Sequence, residues 1–182
     1  ENFLRVGAYP EDINESEWWN VQRNTSIEGL DLLDGDWHHV AYVVDLNSGP
    51  SGTVSSYLDG QFYASENLPS TWTDLRQNDH DLVIGGQLNN FGRNWSGSLD
   101  EIRIWDIARS TSEIEENYST QLNGTEEGLA FYLNFEGEEP YVDKASSLEA
   151  VINGNVTFNF VNTPIVETDP DTSEDTATFT AS

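Results

Sequence analysis

Short apolar runs separated by turn signals recur along the chain and predict β-strands. The run at 37–45, WHHVAYVVD, is apolar or aromatic at most positions, which is typical of a central strand covered on both faces. Further strands are predicted at 54–58, 61–64 and 82–84. Asp59-Gly60 is a hairpin signal, because glycine adopts positive φ without a Cβ clash. This spacing favours a sandwich or jelly roll.

The segment 128–136 shows the cleanest alternation in the chain. One face is expected to point into the core, and it carries Leu129, Phe131, Leu133 and Phe135. The other face is expected to be wetter, and it carries Ala130, Tyr132, Asn134 and Glu136. The pattern predicts a sandwich strand.

One short helix is predicted after residue 110. Ser110 and Glu113 have the spacing of a capping box. An apolar stripe at fourfold spacing follows, formed by Ile114, Tyr118 and Leu122. Asn123-Gly124 is expected to end the helix.

Composition narrows the class of partner. The 182 residues suffice for one core, and 33 acidic against 7 basic side chains give a net charge of −26. Such a surface repels phosphate backbones and anionic lipids, so no nucleic acid partner is expected. No apolar stretch approaches the roughly 20 residues of a membrane span, so no membrane insertion is expected. The absence of cysteine excludes disulfides and thiolate metal sites.

The charge pattern also predicts the domain organisation. Residues 1–162 are predicted to form one β-sandwich, and residues 163–182 an acidic linker or the start of a following module. The chain is therefore expected to be part of a larger multi-domain protein.

Several motifs, in order, resemble the laminin-G-like, concanavalin-A-like (pentraxin-type) jelly rolls. They are DWHHV at 36–40, YLDGQ at 57–61, LVIGG at 82–86, WSGSLDEIRIW at 95–105 and GLAFYLNFEG at 128–137, within a resemblance covering about 27–154. The resemblance implies an all-β, antiparallel jelly-roll β-sandwich with one short helix. It also implies a bacterial surface or secreted protein. Few residues precede the first motif, so some N-terminal strands of the family are expected to be missing.

Some relatives of this fold are glycoside hydrolases, which place paired carboxylates at alternate positions of one strand. Glu101 is the best candidate here, but Arg103 stands where the second carboxylate is needed. No catalytic residue is therefore predicted. His38 and His39 point to opposite faces of a strand, so they cannot share a metal ion, and packing roles are expected.

Calcium is the one expected cofactor. Hard cations prefer carboxylate and carbonyl oxygens, and the resemblance implies a calcium site near an acidic turn after the aromatic strand. Asp143 is the first candidate ligand and Glu136 the second; a solvated acidic loop is the competing interpretation.

Ligand contacts are expected from aromatic and amide side chains in loops, because flat rings stack on sugars and amides bond hydroxyls. Trp37 and Trp105 lie in predicted strands and are expected in the core, and the family resemblance implies a buried position for Trp95. The candidate ligand-binding residues are therefore Trp18, Trp19, Trp72, Asn89, Asn90, Phe91 and Arg93. Packing within the loops is the competing interpretation.

Three functions stay open. The first is a non-catalytic, extracellular or cell-surface recognition and adhesion module that binds a glycan or protein, with calcium assistance. The second is an accessory carbohydrate-binding domain of a polysaccharide-degrading enzyme. The third is a structural spacer in a repetitive surface protein.

Overall fold

The computed structural model describes residues 34–70, 74, 82–86, 95–136 and 141–151, together with the backbone of four further strands. In chain order the elements are β1 (Val6–Gly7), β2 (Gln22–Arg23), β3 (Val40–Asp45), β4 (Thr53–Leu58), β5 (Gln61–Asn67), β6 (Gly97–Leu99), β7 (Ile102–Trp105), α1 (Thr111–Asn117), β8 (Leu129–Leu133), β9 (Val156–Phe160) and β10 (Asp175–Phe179). All strand pairings among them are antiparallel. The predicted fold class, antiparallel β with one short helix, is confirmed.

The chain divides into two compact units. The first unit comprises residues 1–79 and 108–119, and the second comprises residues 80–107 and 120–182. Each is described by itself below. In the part of the chain that the structure describes, no helix is long and apolar enough to cross a membrane.

In the first unit, β3, β4 and β5 form a meander in that order. The predicted hairpin turn between β4 and β5 is confirmed, since Asp59 has φ 48° and Gly60 has φ 76°. A Cβ atom on Gly60 would collide with the Tyr118 ring, so packing and backbone both require glycine. Phe62 on β5 meets Tyr57 edge to face, with ring centroids 5.8 Å apart.

The first strand of this sheet begins later than predicted. β3 starts at Val40, whereas the sequence pattern predicted a strand from residue 37. Side-chain oxygens capture the backbone N–H groups ahead of it: Asp34 accepts from the Asp36 N–H, and Asp59 accepts from the His39 N–H. The bond to Asp34 is local and the bond to Asp59 comes from the following hairpin; both engage backbone donors that a longer strand would use for pairing, which accounts for the late start.

The helix begins as predicted and ends early. The side chain of Ser110 accepts from the Glu113 N–H, and the Glu113 carboxylate accepts from the Ser110 N–H, so the capping box is confirmed. The helix ends at Asn117, with Tyr118 as its C-cap. The predicted stripe is therefore only partly helical: Ile114 is buried on α1, while Leu122 is buried beyond the end of the helix.

In the second unit, β6 pairs with β10, β10 pairs with β9, and β7 pairs with β8. The run 97–106 is thus two strands rather than one, because Glu101 between them has φ 51°. That left-handed conformation interrupts the pleat and separates the pairing partners of β6 and β7. β10 lies within the segment predicted as a linker or as the start of a module; the domain boundary at residue 162 stays a prediction.

The core of the second unit contains Leu133, Phe135 and Tyr141, with Ile84, Ile102 and Phe131 packed against it. The predicted core face of β8 is thus supported. The prediction of a wetter opposite face holds at Ala130, which is exposed, and is wrong at Tyr132, which is fully buried, and at Asn134, which is 3% exposed. Tyr132 can be covered because its polar tip has internal hydrogen-bond partners, which removes the cost of burying it.

The strand predicted at 82–84 is not formed. The segment is bent. The Gly85 carbonyl that follows it accepts a hydrogen bond from the Trp95 N–H at 2.8 Å. Gly85 has φ 75°, which turns the chain away from an extended course.

Candidate functional site

The predicted ligand-binding residues Trp18, Trp19, Trp72, Asn89, Asn90, Phe91 and Arg93 lie outside the described residues. Their role stays a prediction. The described residues provide other exposed aromatic groups, which the sequence pattern had placed in the core.

Trp37 is the exposed tryptophan among the described residues of the first unit. It was predicted to be core but is 40% exposed, so the prediction is wrong. It lies in the segment 34–39, DGDWHH, which we call the Trp37 segment. The bend that precedes β3 takes Trp37 out of the pleated strand in which it was expected to be covered. An exposed indole offers a flat apolar face beside a hydrogen-bond donor.

His38 holds this segment in place. Its Nδ1 lies 2.9 Å from Asp59 Oδ2, and its Nε2 lies 3.3 Å from both carboxylate oxygens of Asp34. The expected packing role of His38 is therefore wrong, because the ring makes polar contacts with two carboxylates. His39 does pack, with its ring centroid 5.9 Å from that of Tyr118.

The carboxylates around His38 shift its titration. The hydrogen bond to Asp59 raises the pKa of His38 above 6.5, and the negative charges of Asp59 and Asp34 add to the rise. In turn, the hydrogen bond from the Asp36 N–H, with smaller help from His38, lowers the pKa of Asp34. The raised pKa of His38 favours the protonated imidazole between the Asp34 and Asp59 side chains.

Trp95 is a second exposed tryptophan, in the second unit. It is 42% exposed, so its predicted core position is also wrong. A Cβ atom on Gly97 would come within 3.1 Å of its indole Nε1, so the ring lies close over the glycine backbone.

The environment of Asp143 does not fit a calcium ligand. Asp143 is 1% exposed, and its Oδ1 accepts from the N–H groups of Tyr132 and Ala145, both at 2.8 Å. Its Oδ2 accepts from the N–H of Ser146 at 3.1 Å and from the Ser146 hydroxyl. A carboxylate has about four lone-pair sites, and protein donors occupy all of them. Asp143 organises the turn that follows it.

Glu136 is likewise engaged within the second unit. Its carboxylate accepts from the Gln121 amide, and Lys144 Nζ lies 3.8 Å from it. Among the described residues, no group of three or more histidine, aspartate or glutamate side chains could hold a metal ion. Calcium binding, by Asp143, Glu136 or other residues of the chain, stays a prediction.

Glu101 is occupied rather than presented to a substrate. Arg103 pairs with its Oε2, and the Tyr132 hydroxyl donates to both oxygens at 2.8 and 3.0 Å. The Arg103 guanidinium also lies 5.6 Å from the Tyr132 ring centroid and donates to the Thr120 carbonyl. Burial raises the pKa of Tyr132 far above its usual value, and the Glu101 charge adds to the rise. The Glu101 carboxylate is therefore engaged with partners inside the second unit, and among them is Arg103, the cation that stands where a paired carboxylate would be needed.

Comparison with known families identifies the class of protein. The family model described as the concanavalin A-like lectin/glucanases superfamily matches residues 6–115, and the chain belongs to this family. The match starts before the motifs that carried the sequence resemblance and ends within α1. The family includes both lectins and glucanases, so membership by itself leaves the activity open.

A solved structure shows the same fold. It is the crystal structure of a candidate carbohydrate-binding protein from Bacteroides ovatus, with a TM-score of 0.55 and 20% sequence identity to this chain. The match covers 81% of this chain and 47% of the other, so this chain spans about half the length of that protein. Among curated proteins, no sequence matches this chain. The jelly-roll assignment is confirmed.

Proposed function

We propose that this chain is a non-catalytic carbohydrate-recognition module and that Trp37 is its sugar-stacking residue. The observation that carries the proposal is an exposed indole on a segment fixed by hydrogen bonds on both sides. Sugar rings present flat apolar faces on which an indole can stack. An indole on a fixed backbone segment loses less conformational freedom on binding than one on a mobile segment. The family and the described function of the structural neighbour support the same class of ligand.

The charges around Trp37 narrow the class of glycan. Asp34 and Asp59 are each partly exposed, at 40% and 44% of their side chains, and the whole chain carries a net charge of −26. Their oxygens accept hydrogen bonds from sugar hydroxyls, while the field repels sulfates and uronic acids. We therefore propose neutral polysaccharides or oligosaccharides as ligands.

The proposal includes an extracellular or cell-surface setting, where such polysaccharides are met, and a role in adhesion. The alternative is an accessory module beside a polysaccharide-degrading domain, which requires the same recognition surface. Calcium assistance belongs to the proposal only through residues other than Asp143, since the lone pairs of that carboxylate are occupied. A purely structural spacer would require no ligand.

The test is a glycan array of neutral, uronic and sulfated polysaccharides, with and without a calcium chelator. We expect binding to neutral glycans, and loss of one stacking contact in Trp37→Ala should weaken it about 2- to 12-fold. Trp37→Phe keeps a flat ring and should retain most of the affinity. Trp95→Ala is the matched control from the second unit. Equal binding by the wild type and Trp37→Ala, or a preference for acidic glycans, would contradict the proposal.

A further inference from the structure

Both ring nitrogens of His38 face carboxylate oxygens. Nδ1 is 2.9 Å from Asp59 Oδ2, and Nε2 is 3.3 Å from each oxygen of Asp34. A neutral imidazole carries a hydrogen on one nitrogen only, so its other lone pair would face a carboxylate. The imidazolium donates from both nitrogens and is therefore the form that this geometry accommodates.

The same two carboxylates also hold the backbone on either side of Trp37. Asp34 Oδ1 accepts from the Asp36 N–H at 2.8 Å, and Asp59 Oδ1 accepts from the His39 N–H at 2.9 Å. Asp34 lies in the Trp37 segment itself, and Asp59 lies in the turn between β4 and β5. A cation between them offsets the repulsion of two negative groups and ties the segment to the hairpin.

We propose that His38 is the positioning residue of the Trp37 segment and that it works as a pH-dependent clamp. The doubly donating imidazolium fixes the exposed indole, and the neutral ring releases it. The consequence for ligand affinity rests on the proposed function, whereas the clamp itself does not.

The direction of the pH effect follows from the groups that face the ring. Among the described residues these are Asp34 from the Trp37 segment and Asp59 from the hairpin, and both raise the pKa of His38 above 6.5. A raised pKa in the folded state means that the stabilisation is complete below about pH 6.5 and is lost as pH rises through the higher folded value. The lowered pKa of Asp34 keeps that carboxylate ionised throughout this range. The clamp is thus closed below about pH 6.5 and opens as pH rises through the raised folded pKa of His38.

Hydrogen exchange tests the clamp without any ligand. The readout is the protection factor of the Asp36 and His39 amides, corrected for intrinsic exchange, from about pH 6 to about pH 9, a range that spans histidine titration. The Glu113 amide, which donates to Ser110 in the capping box, is the control in the same unit.

Two substitutions separate charge from shape. His38→Arg keeps a permanent cation with several donors, and His38→Gln keeps one amide donor without charge. We expect protection in the wild type to fall about 1.5- to 5-fold across this range, as for a partly exposed ion pair. Protection should stay high and flat in His38→Arg and low and flat in His38→Gln. A flat wild-type profile, or identical behaviour of the two variants, overturns the proposal.

A second measurement remains decisive if His38→Arg does not fold. The His38 ring is titrated by NMR in the wild type and in Asp59→Asn. We expect the midpoint to move downwards in the variant, because the largest cause of the raised pKa has been removed. An unchanged midpoint contradicts the clamp.

Binding to neutral glycans at several pH values tests whether the clamp affects ligand affinity. We expect wild-type affinity to fall in mild alkali and the affinity of His38→Arg to stay constant. An absence of binding at every pH refutes the proposed function but leaves the exchange result to decide the clamp. Binding that ignores pH, while the exchange profile titrates, refutes the coupling between clamp and ligand.

Discussion

The two units use charged side chains in opposite ways. In the second unit, Arg103 and Glu101 pair with side-chain exposures of 9% and 14%, beneath the buried Tyr132. In the first unit, His38 lies between carboxylates whose side chains are 40% and 44% exposed. The Arg103–Glu101 pair serves internal structure, whereas the carboxylates around His38 remain in contact with solvent.

The difference indicates where a ligand can act. A buried charge that loses its partner is left without solvation, so disturbing such a network is costly. A network of this kind therefore adjusts poorly to a change in pH or to a ligand. An exposed pair contributes little to stability, and it therefore adjusts to pH or to a hydroxyl-bearing ligand at small cost. This contrast is why we assign recognition to the Trp37 segment rather than to Glu101.

Removing the buried cation should have the largest effect. Arg103→Met leaves the Glu101 carboxylate uncompensated, and we expect a loss of about 3–5 kcal/mol in the free energy of unfolding. Urea denaturation monitored by tryptophan fluorescence measures it. Arg109→Met is the matched control, because Arg109 pairs with the more exposed Glu113 at 3.0 Å and should cost less than about 1 kcal/mol. If both variants lost the same free energy of unfolding, burial would not account for the difference between the ion pairs of the two units.

Asp143→Asn tests the second buried charge. The amide replaces one acceptor oxygen by a donor facing Ser146, and we expect a loss of about 2–3 kcal/mol. Burial alone would raise the pKa of Asp143, but hydrogen bonds from Ser146, Tyr132 and Ala145 lower it below 3.8. Wild-type stability from this group is therefore present above about pH 4 and lost as pH falls through the lower folded value.

The free energy of unfolding at acidic pH tests the predicted direction of this pH dependence. Wild type should lose its advantage over Asp143→Asn in acid, while addition of a calcium chelator at neutral pH should leave its unfolding midpoint unchanged. A chelator-dependent midpoint that Asp143→Asn abolishes would instead make this residue a calcium ligand.

Ser110→Ala should reduce the free energy of unfolding less than Arg103→Met or Asp143→Asn. It removes the exposed capping box of α1, and a lost N-cap costs about 1 kcal/mol. Ser112→Ala on the same helix is the control and should be nearly neutral. Thermal unfolding followed by circular dichroism compares the two variants. A loss as large as that of Arg103→Met would erase the distinction between exposed and buried polar contacts.

Features that depend on adjacent residues were predictable. The Asp59-Gly60 turn and the Ser110 to Glu113 capping box involve residues no more than three apart, and both are confirmed. The motif order also identified the family correctly, because the strands and turns of this fold recur in sequence.

Features that depend on residues far apart in the sequence were not predictable. Alternation in β8 predicted a wetter face for Tyr132, but its hydroxyl finds Glu101, 31 positions earlier in the chain. The same limit applied to His38, whose partner Asp59 lies 21 positions away. No local pattern signals a hydrogen bond across such a separation.

By itself, the amino-acid sequence determined the fold class, the hairpin, the helix start and the acidic character, since each follows from short-range preference or composition. The tertiary structure decided which charges are buried and which tryptophans are exposed. It placed Trp37 at the surface because carboxylates from Asp34 and Asp59 bind the backbone around it and interrupt the strand. Burial and long-range hydrogen bonding are properties of the folded chain, and they distinguish a scaffold residue from a candidate for recognition.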